Sequence, residues 1–298
     1  MSQRLILFID SVHPILEEKL SHAGFLCQRH FKTTFEELQN ILPQAYGLVI
    51  RSRFTIDETF LAFCPNLQFI ARSGSGLENI DVKLCEALNI RLYNSPEGNR
   101  NAVAEHALGL LLGLMNKLNK AHQEVRNGVW DREANRGEEL DGKTIGIIGY
   151  GNNGAAFAKK LRGFDVKVMA YDKYKSGFGD YLVQECTLEA LQEQADVLSF
   201  HVPQNKETKH YLNSVFLSQM AKPFYLLNLS RGKVVATAAL VEGLKSGQIK
   251  GAGLDVLEYE QKSFEAFFER EMPPAFQALI KQENVVLTPH VGGWTTES

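Results

Sequence analysis

The chain has 298 residues, of which 44% are hydrophobic, and its formal net charge is −3 at neutral pH. This length suggests two domains of ordinary size. The charge balance, without a dense basic block, argues against nucleic acid or an anionic membrane surface as a partner. The apolar runs near Leu5 and at 107–115 are too short for a signal sequence or a membrane span, so we expect a cytoplasmic protein.

The cysteines are scattered and have no spacing typical of a metal site. We therefore expect reduced, mostly buried thiols, with no disulfide and no zinc. The four cysteines are Cys27, Cys64, Cys85 and Cys186.

The first part of the chain alternates strand-like and helix-like segments. The predicted strands are 5–9, 47–50, 69–71 and 91–93, and the predicted helices are 14–23, 34–42, 57–63 and 81–88. Thr34 and Glu37 form a capping-box pattern at the start of the second helix. Turn residues at 94–99 then interrupt the alternation, and a long helix over about 102–127 follows. We place the domain boundary between residues 98 and 99.

The alternation resumes at Thr144 and predicts a doubly wound parallel sheet in the second part of the chain. The predicted strands are 144–148, 166–171, 197–200, 224–228, 251–255 and 285–287, and the predicted helices are 187–194, 213–220 and 237–246. The protein is therefore expected to be α/β, with two doubly wound parallel-sheet domains that face each other across a cleft.

A glycine fingerprint links the strand 144–148 to the next helix. Gly149 permits a tight turn, Gly151 allows a pyrophosphate to approach the backbone, and Gly154 allows the helix to pack closely on the sheet. Asp172 closes the following strand, where its carboxylate would bind ribose hydroxyls and repel a 2′-phosphate, which favours NAD over NADP. An ordinary turn with an exposed aspartate is the alternative interpretation. The predicted phosphate loop comprises Gly149, Gly151, Asn152, Asn153 and Gly154.

Polar residues follow several strands of the second sheet, at the edge where open α/β sheets bind ligands. Arg231, Glu260 and His290 come from three different strand ends and are expected to meet. His290 is suited to proton transfer because its unperturbed pKa is near neutrality, and a neighbouring carboxylate would orient it and favour its protonated form. Glu258 lies on the same loop as Glu260, and strand-like alternation would point both in the same direction. His201 is the second candidate acid.

These motifs together resemble the D-isomer-specific 2-hydroxyacid dehydrogenase family. The resemblance rests on 149–154, 228–232, 253–256 and 288–290, and it extends to 72–81 and 99–105 in the first part of the chain. It implies a flavodoxin-like substrate domain over 1–98, completed by 291–298, and a Rossmann NAD-binding domain over 99–290. It further implies an oxidoreductase that interconverts a D-2-hydroxy acid and its 2-oxo acid with NAD.

The resemblance also assigns roles to individual residues. The catalytic residues would be Arg231, Glu260 and His290, with His201 as a wall residue at the adenine end and Asp255 at the nicotinamide carboxamide. Further cofactor contacts would be Val202, Pro203, Thr208, Leu229, Ser230, Gly292, Gly293 and Val103. Substrate contacts would be Arg51, Ser52, Ser73, Gly74, Ser75, Gly76 and Asn99, with the backbone N–H groups of 74–76 binding the carboxylate.

Several positions depart from the family pattern. Gln261 replaces the usual proline after the catalytic glutamate, and Arg100 stands where a small hydroxyl residue is common. A Phe-rich segment then covers the cleft or forms local core; its members are Phe264, Phe267, Phe268 and Phe276. In the family pattern, a helix after His290 returns to the first domain, whereas eight residues follow His290 here. Two interpretations remain: the sequence ends early, or the second connection between the domains is missing.

The leading hypothesis is an NAD-dependent dehydrogenase acting on a phosphoglycerate-type substrate, with glyoxylate or hydroxypyruvate reduction as the alternative. Arg51 and Arg53 favour an acidic or phosphorylated tail, although a solvated loop charge is an equal interpretation for each. An NADH-responsive binding protein similar to transcriptional corepressors is the alternative from another class. A formate dehydrogenase is less favoured because that branch pairs its histidine with an amide. The family also implies a homodimer, through the helix 102–127 and the arm at Trp130.

Overall fold

The computed structural model describes residues 3–260 and 272–298. Phe264, Phe267 and Phe268 of the Phe-rich segment lie outside these residues, as does Gln261. The chain divides into two compact units. The first contains the residues up to Asn99 together with Thr295–Ser298, and the second contains Arg100–Glu260 and the described residues from 272 to Trp294.

The first unit is a five-stranded parallel sheet with the strand order β2-β1-β3-β4-β5, which is the flavodoxin-like order. In the strand Leu5–Phe8, Leu5 and Leu7 pack into the core on one face of the sheet, whereas Ile6 and Phe8 pack on the other, so both faces are covered. The elements are β1 (Leu5–Phe8), α1 (Pro14–His22), β2 (Leu26–Arg29), α2 (Phe35–Leu38), β3 (Ala45–Ile50), α3 (Glu58–Leu61), β4 (Phe69–Arg72), α4 (Val82–Ala87) and β5 (Arg91–Asn94).

The second unit begins with two helices, α5 (Arg100–Met115) and α6 (Leu118–Arg126). Its sheet has seven parallel strands in the order β12-β11-β10-β9-β6-β7-β8, the Rossmann order extended by one strand. The remaining elements are β6 (Thr144–Ile148), α7 (Asn152–Lys160), β7 (Lys167–Tyr171), β8 (Gln184–Glu185), α8 (Leu188–Gln194), β9 (Val197–Phe200), α9 (Ser214–Ser218), β10 (Phe224–Asn228), α10 (Thr237–Ser246), β11 (Ile249–Leu254), α11 (Pro274–Leu279) and β12 (Val285–Leu287). Short 3₁₀ turns cover Leu42–Gln44, Leu161–Gly163 and Gly232–Val234. The α/β prediction with two doubly wound parallel sheets is confirmed.

The prediction of one helix over 102–127 was wrong, because the chain breaks between α5 and α6. Lys117 adopts a left-handed backbone conformation with φ of 51°. Glu138 N–H donates to Met115 O at 2.9 Å, and Lys117 Nζ donates to Ala134 O at 2.9 Å. The segment that follows α6 therefore satisfies the carbonyl of Met115 at the break and is itself bound by Lys117, through contacts between positions far apart in sequence.

The strands β2 and β8 were not predicted from the sequence pattern, and both are edge strands. Leu26–Arg29 is largely exposed, and Gln184–Glu185 is only two residues long and exposed. Neither strand has the continuous apolar run that marks the buried strands of a parallel sheet. Among the described residues, no helix is both long and apolar enough to cross a membrane.

Candidate active site

The glycine loop after β6 has no room for side chains at two of its three glycines. Gly149 has φ of 93°, and a Cβ there would lie 2.6 Å from His201 O. A Cβ at Gly154 would overlap the carbonyl of Gly149. Gly151, by contrast, has open space around its Cβ direction and precedes α7 without a side-chain cap. The first turn of α7 therefore presents backbone N–H groups to a space that an anion can enter.

Asp172 holds this loop in place from the end of β7. One carboxylate oxygen accepts from Tyr150 N–H at 2.8 Å. The other accepts from Tyr174 N–H at 2.9 Å and Lys175 N–H at 3.1 Å. An ionised carboxylate offers about four acceptor positions, so these bonds leave capacity for a ribose hydroxyl.

The residues around this loop fit a dinucleotide. Asn153 Oδ1 is buried and has no hydrogen-bond partner among the described residues, so it can accept a hydrogen bond from a bound ligand. A groove of about 800 Å³ beside Gly151 carries several cations that suit a diphosphate. The cations are Arg100, Lys159, Lys160, Arg162 and Lys175.

The loop after β9 forms the neighbouring wall through 201–203. Burial lowers the pKa of His201 to about 4, so its imidazole is neutral at physiological pH. His201 Nε2 hydrogen-bonds with Ser199 Oγ at 2.8 Å. Thr208 Oγ1 donates to Pro203 O at 2.6 Å and accepts from Asn205 N–H at 2.8 Å, which stabilises the loop that contains the exposed Pro203. Val202, between His201 and Pro203, is half-buried.

Arg231 lies in the turn that follows β10. Asn228 is fully buried and accepts from Ser230 N–H and Oγ, while its Nδ2 donates to Arg231 O at 3.0 Å. Leu229 lies in the core of the second unit. A Cβ at Gly232 would overlap Leu257 O, so this turn packs directly on the loop that carries the glutamates.

His290 and Glu260 form a direct pair within the second unit. Nδ1 of His290 lies 2.8 Å from Glu260 Oε2, and the side chains are 24% and 14% exposed. The other oxygen of Glu260 accepts from Leu257 N–H. His290 itself has a left-handed backbone with φ of 56°, an uncommon conformation for a residue other than glycine.

Glu258 points elsewhere and has different partners. It accepts from His210 Nε2 at 2.6 Å and from Thr237 N–H, at the start of α10, at 2.8 Å. Of the two glutamates left open by the sequence, Glu260 is therefore the one that contacts His290. The strand-like alternation does not hold because the chain turns at Leu257, where Glu260 N–H donates to its carbonyl.

Asp255 organises the turn that contains His290. Its side chain is 3% exposed and accepts from Thr288 Oγ1 at 2.6 Å, Val291 N–H at 2.9 Å and Gly292 N–H at 2.7 Å. Gly292 is buried against this carboxylate, and Gly293 follows it in the turn. The contact of Asp255 with a carboxamide remains a prediction.

Two positions singled out in the sequence lie in α5: Val103, a predicted cofactor contact, and Arg100, which departs from the family pattern. Val103 is 6% exposed and packs in the hydrophobic core of the second unit. Arg100 begins α5 and lines the basic groove beside the glycine loop. A cofactor contact of Val103 remains a prediction.

In the first unit, the loop after β4 is tied to the segment after β5. Ser75 Oγ hydrogen-bonds with Asn99 Oδ1 at 2.9 Å, and Ser95 N–H donates to Gly74 O at 3.0 Å. Ser73 N–H donates to Ile50 O at 2.8 Å. Gly74 has φ of 150°, and a Cβ there would overlap the guanidinium of Arg72. The loop 73–76 therefore lies at the carboxyl edge of the sheet with a cation beside it.

The arginines after β3 differ in their surroundings. Arg53 donates from Nη1 to Phe31 O at 2.5 Å and from Nη2 to His30 O at 2.8 Å, so its guanidinium anchors the preceding loop. Arg51 is fixed through its backbone, because its N–H donates to Asp10 Oδ2 at 2.5 Å and its carbonyl accepts from Arg72 Nε at 3.3 Å. Ser52, between them, is 7% exposed.

Arg72 is a candidate substrate residue that the sequence analysis did not single out. It ends β4, which pairs directly with β3, so it emerges beside Arg51 at the same edge. Its position one residue before the Ser73–Gly76 loop was the available signal.

Comparisons with known proteins agree with this geometry. Residues 108–292 match the family described as D-isomer specific 2-hydroxyacid dehydrogenase, NAD binding domain. The chain is 35% identical over 263 residues to a hydroxypyruvate reductase of Thermotoga maritima, covering 88% of this chain and 83% of that protein. It is 34% identical over 290 residues to a D-3-phosphoglycerate dehydrogenase of Archaeoglobus fulgidus, covering 96% of this chain but 53% of that protein. The chain thus spans about half the length of that relative.

A solved structure supports the same assignment. A D-lactate dehydrogenase from Aquifex aeolicus, complexed with NAD and lactic acid, superposes with a TM-score of 0.80 at 26% identity. The match covers 99% of this chain and 90% of that one.

Proposed function

The chain belongs to the D-isomer-specific 2-hydroxyacid dehydrogenase family and is an NAD-dependent oxidoreductase, and from this premise we propose that its substrate is a small D-2-hydroxy acid with an anionic tail, of the 3-phosphoglycerate type. The observation that carries the proposed mechanism is the pairing of His290 Nδ1 with Glu260 Oε2 at 2.8 Å. The two side chains lie on the loops after two neighbouring strands, β11 and β12, which supports their proposed role as an acid–base pair.

His290 is the proposed acid–base residue. With Nδ1–H donated to Glu260, Nε2 is the ring nitrogen that gives a proton to the carbonyl oxygen of a 2-oxo acid, or takes one from the hydroxyl in the reverse direction. Glu260 fixes the ring orientation and stabilises the charged imidazolium through its carboxylate.

Arg231 is proposed to bind the substrate carboxylate and the developing oxyanion. Its planar guanidinium suits both, because it can donate two parallel hydrogen bonds and keeps its charge. In the first unit, the backbone N–H groups of Gly74, Ser75 and Gly76 are proposed to bind a carboxylate. NAD, when bound to the glycine loop, supplies or accepts the hydride.

The anionic tail is proposed to contact Arg51 and Arg72. Both residues leave paired strands at the edge that carries Ser73 and Gly74. Arg53 is not assigned to the substrate, because its guanidinium donates to two backbone carbonyls.

Hydroxypyruvate or glyoxylate reduction is the second candidate. It is favoured by the hydroxypyruvate reductase of Thermotoga maritima, whose length the chain covers to 83%. Neither compound has a phosphate tail, so the two candidates differ in their demand for Arg51.

A substrate panel tests the proposal. NADH oxidation is measured with phosphohydroxypyruvate, hydroxypyruvate, glyoxylate and pyruvate, using the wild type, His290→Gln and Arg51→Ala. We expect kcat to fall by at least about 10²-fold in His290→Gln with every active substrate, because the variant lacks the proposed acid–base group. Arg51→Ala should raise KM for phosphohydroxypyruvate by about tenfold or more and leave KM for pyruvate within about twofold.

The control is His22→Gln, since His22 is exposed at the end of α1, outside the proposed site. NADH binding without turnover of any acid, or wild-type activity in His290→Gln, would contradict the proposal. A KM for phosphohydroxypyruvate unchanged by Arg51→Ala would favour the reductase assignment.

We also propose a homodimer formed through α6 and the arm that follows it. Leu118, Val125, Val129 and Trp130 are between 47% and 80% exposed, an apolar surface that a second copy would cover. Sedimentation equilibrium should give twice the chain mass for the wild type and a weaker dimer for Trp130→Ser. A monomeric wild type would contradict this.

The cytoplasm is the proposed location. Its support is that all four cysteines are free thiols, as is usual in a reducing compartment.

A further inference from the structure

His106 on α5 reaches the turn that carries His290 through the side chain of Thr288. Nε2 of His106 lies 2.9 Å from Thr288 Oγ1. Thr288 directly follows β12 and lies two residues before His290. The imidazole is 26% exposed, so most of it is enclosed by the second unit.

The direction of these hydrogen bonds follows from the available protons. The carboxylate of Asp255 accepts from Thr288 Oγ1 at 2.6 Å, and a hydroxyl has one proton to donate. Thr288 Oγ1 must then accept from His106, so Nε2 of His106 carries a proton. The result is a directed chain from His106 to Thr288 to Asp255. Nε2 also lies 3.5 Å from Asp255 Oδ1, which adds attraction when the ring is charged.

The end of this chain holds the backbone around His290. Asp255 also accepts from Val291 N–H and Gly292 N–H, while its own carbonyl accepts from His290 N–H at 2.8 Å. These bonds stabilise the left-handed backbone of His290, which would otherwise relax to a more common conformation.

We propose that His106 is a positioning residue for His290 and acts through Thr288 and Asp255. This inference rests on the proposed role of His290. The ring of His106 orients the hydroxyl of Thr288, which in turn keeps Asp255 Oδ1 fixed against Val291 N–H. Losing either donor frees the carboxylate to rotate and the turn to shift.

The first test compares His106→Leu and Thr288→Val with the conservative variants His106→Gln and Thr288→Ser. Leucine and valine remove the donor or the hydroxyl, whereas glutamine and serine retain them. We expect kcat to fall by about 10–100-fold in the first pair, as expected for a small displacement of a catalytic group, and to return to within about threefold of wild type in the second pair. The dissociation constant for NADH should stay within about twofold in all four.

The double variant His106→Leu/Thr288→Val should be no slower than the slower single variant, because both changes break the same chain. His22→Leu at the end of α1 is the matched control, and its kcat should equal that of the wild type. Multiplying effects in the double variant, unchanged kcat in His106→Leu, or no recovery in His106→Gln and Thr288→Ser would overturn the inference.

A second readout needs neither cofactor nor substrate. Hydrogen exchange of the Val291 and Gly292 amides should be at least about tenfold faster in Thr288→Val and His106→Leu than in the wild type, while amides of β6 exchange at the wild-type rate. Unchanged exchange at both amides would overturn the inference. A wild type without activity on any 2-oxo acid would instead overturn the proposed function, and the exchange result would still decide the role of His106.

Discussion

The neutral state of His201 predicts a specific loss of stability in acid. Its pKa is lowered by burial from 6.5 to about 4, so between these values the unfolded chain binds a proton that the folded protein does not. Stability from this group is therefore complete above about pH 6.5 and is lost as the pH falls toward 4. At pH 5 the unfolded histidine is almost fully protonated and the folded one about a tenth protonated, which corresponds to about 2 kcal/mol.

The perturbation is His201→Asn, which removes the titrating ring and retains an amide that can bond to Ser199. Urea unfolding of the protein without NAD, followed by circular dichroism, gives the free energy of unfolding at pH 7.5 and pH 5 for the wild type and the variant. We expect the advantage of the wild type over His201→Asn to shrink by about 2 kcal/mol between the two pH values. His22→Asn, a change at an exposed histidine at the end of α1, should show no such shrinkage.

Two results would refute this reasoning. One is an equal difference in stability between the wild type and His201→Asn at both pH values. The other is an NMR titration in which the His201 ring protonates near pH 6.5 in the folded protein. Either result would mean that the ring is hydrated in the folded state.

Three other predictions follow from single contacts. Gly151→Ala should keep the wild-type Tm within about 2 °C, because its Cβ meets only open space, but the added methyl group should weaken NADH binding at least about tenfold in a fluorescence titration. Gly154→Ala should lower Tm as well, because its Cβ overlaps the backbone. Equal Tm values for the two variants would contradict this. Glu260→Gln should lower kcat by about 10²-fold with little change in Tm, because Glu260 pairs with the proposed acid–base residue His290. Glu258→Gln should mainly lower Tm in a thermal scan, because Glu258 pairs with His210 instead. The reverse pattern would exchange the roles of the two glutamates. Arg53→Ala should lower the free energy of unfolding by about 2 kcal/mol, because two charged hydrogen bonds are lost. Every KM should stay unchanged. A raised KM would indicate that Arg53 contacts the substrate.

The sequence predicted best those elements whose signal is local. The strands Thr144–Ile148, Val197–Phe200 and Phe224–Asn228 have the predicted bounds, because buried parallel strands are continuous apolar runs that end at turn residues. The glycine loop was equally readable, since a tight turn and a close helix contact leave no alternative to glycine at Gly149 and Gly154.

Features that depend on distant contacts were missed or left open. The break at Lys117 depends on a segment about twenty residues later in the chain, whose Glu138 N–H bonds to Met115 O. The exposed edge strand Leu26–Arg29 lacks the apolar pattern of a central strand, and only its pairing with β1 makes it a strand. The guanidinium of Arg53 could be assigned to the backbone of 30–31 only once the two loops were seen together.

The sequence by itself determined the two α/β sheets, the NAD loop and the candidates Arg231, Glu260 and His290, because apolar periodicity and backbone conformation act over a few residues. The tertiary structure decided which groups pair: Glu260 rather than Glu258 with His290, and His106 with Thr288 across 182 positions. Such pairings depend on which strand ends and helices the parallel sheet brings together, and side-chain hydrogen bonds form only over about 3 Å. The sequence pattern therefore identifies the candidate residues, and the tertiary structure determines their hydrogen-bond partners.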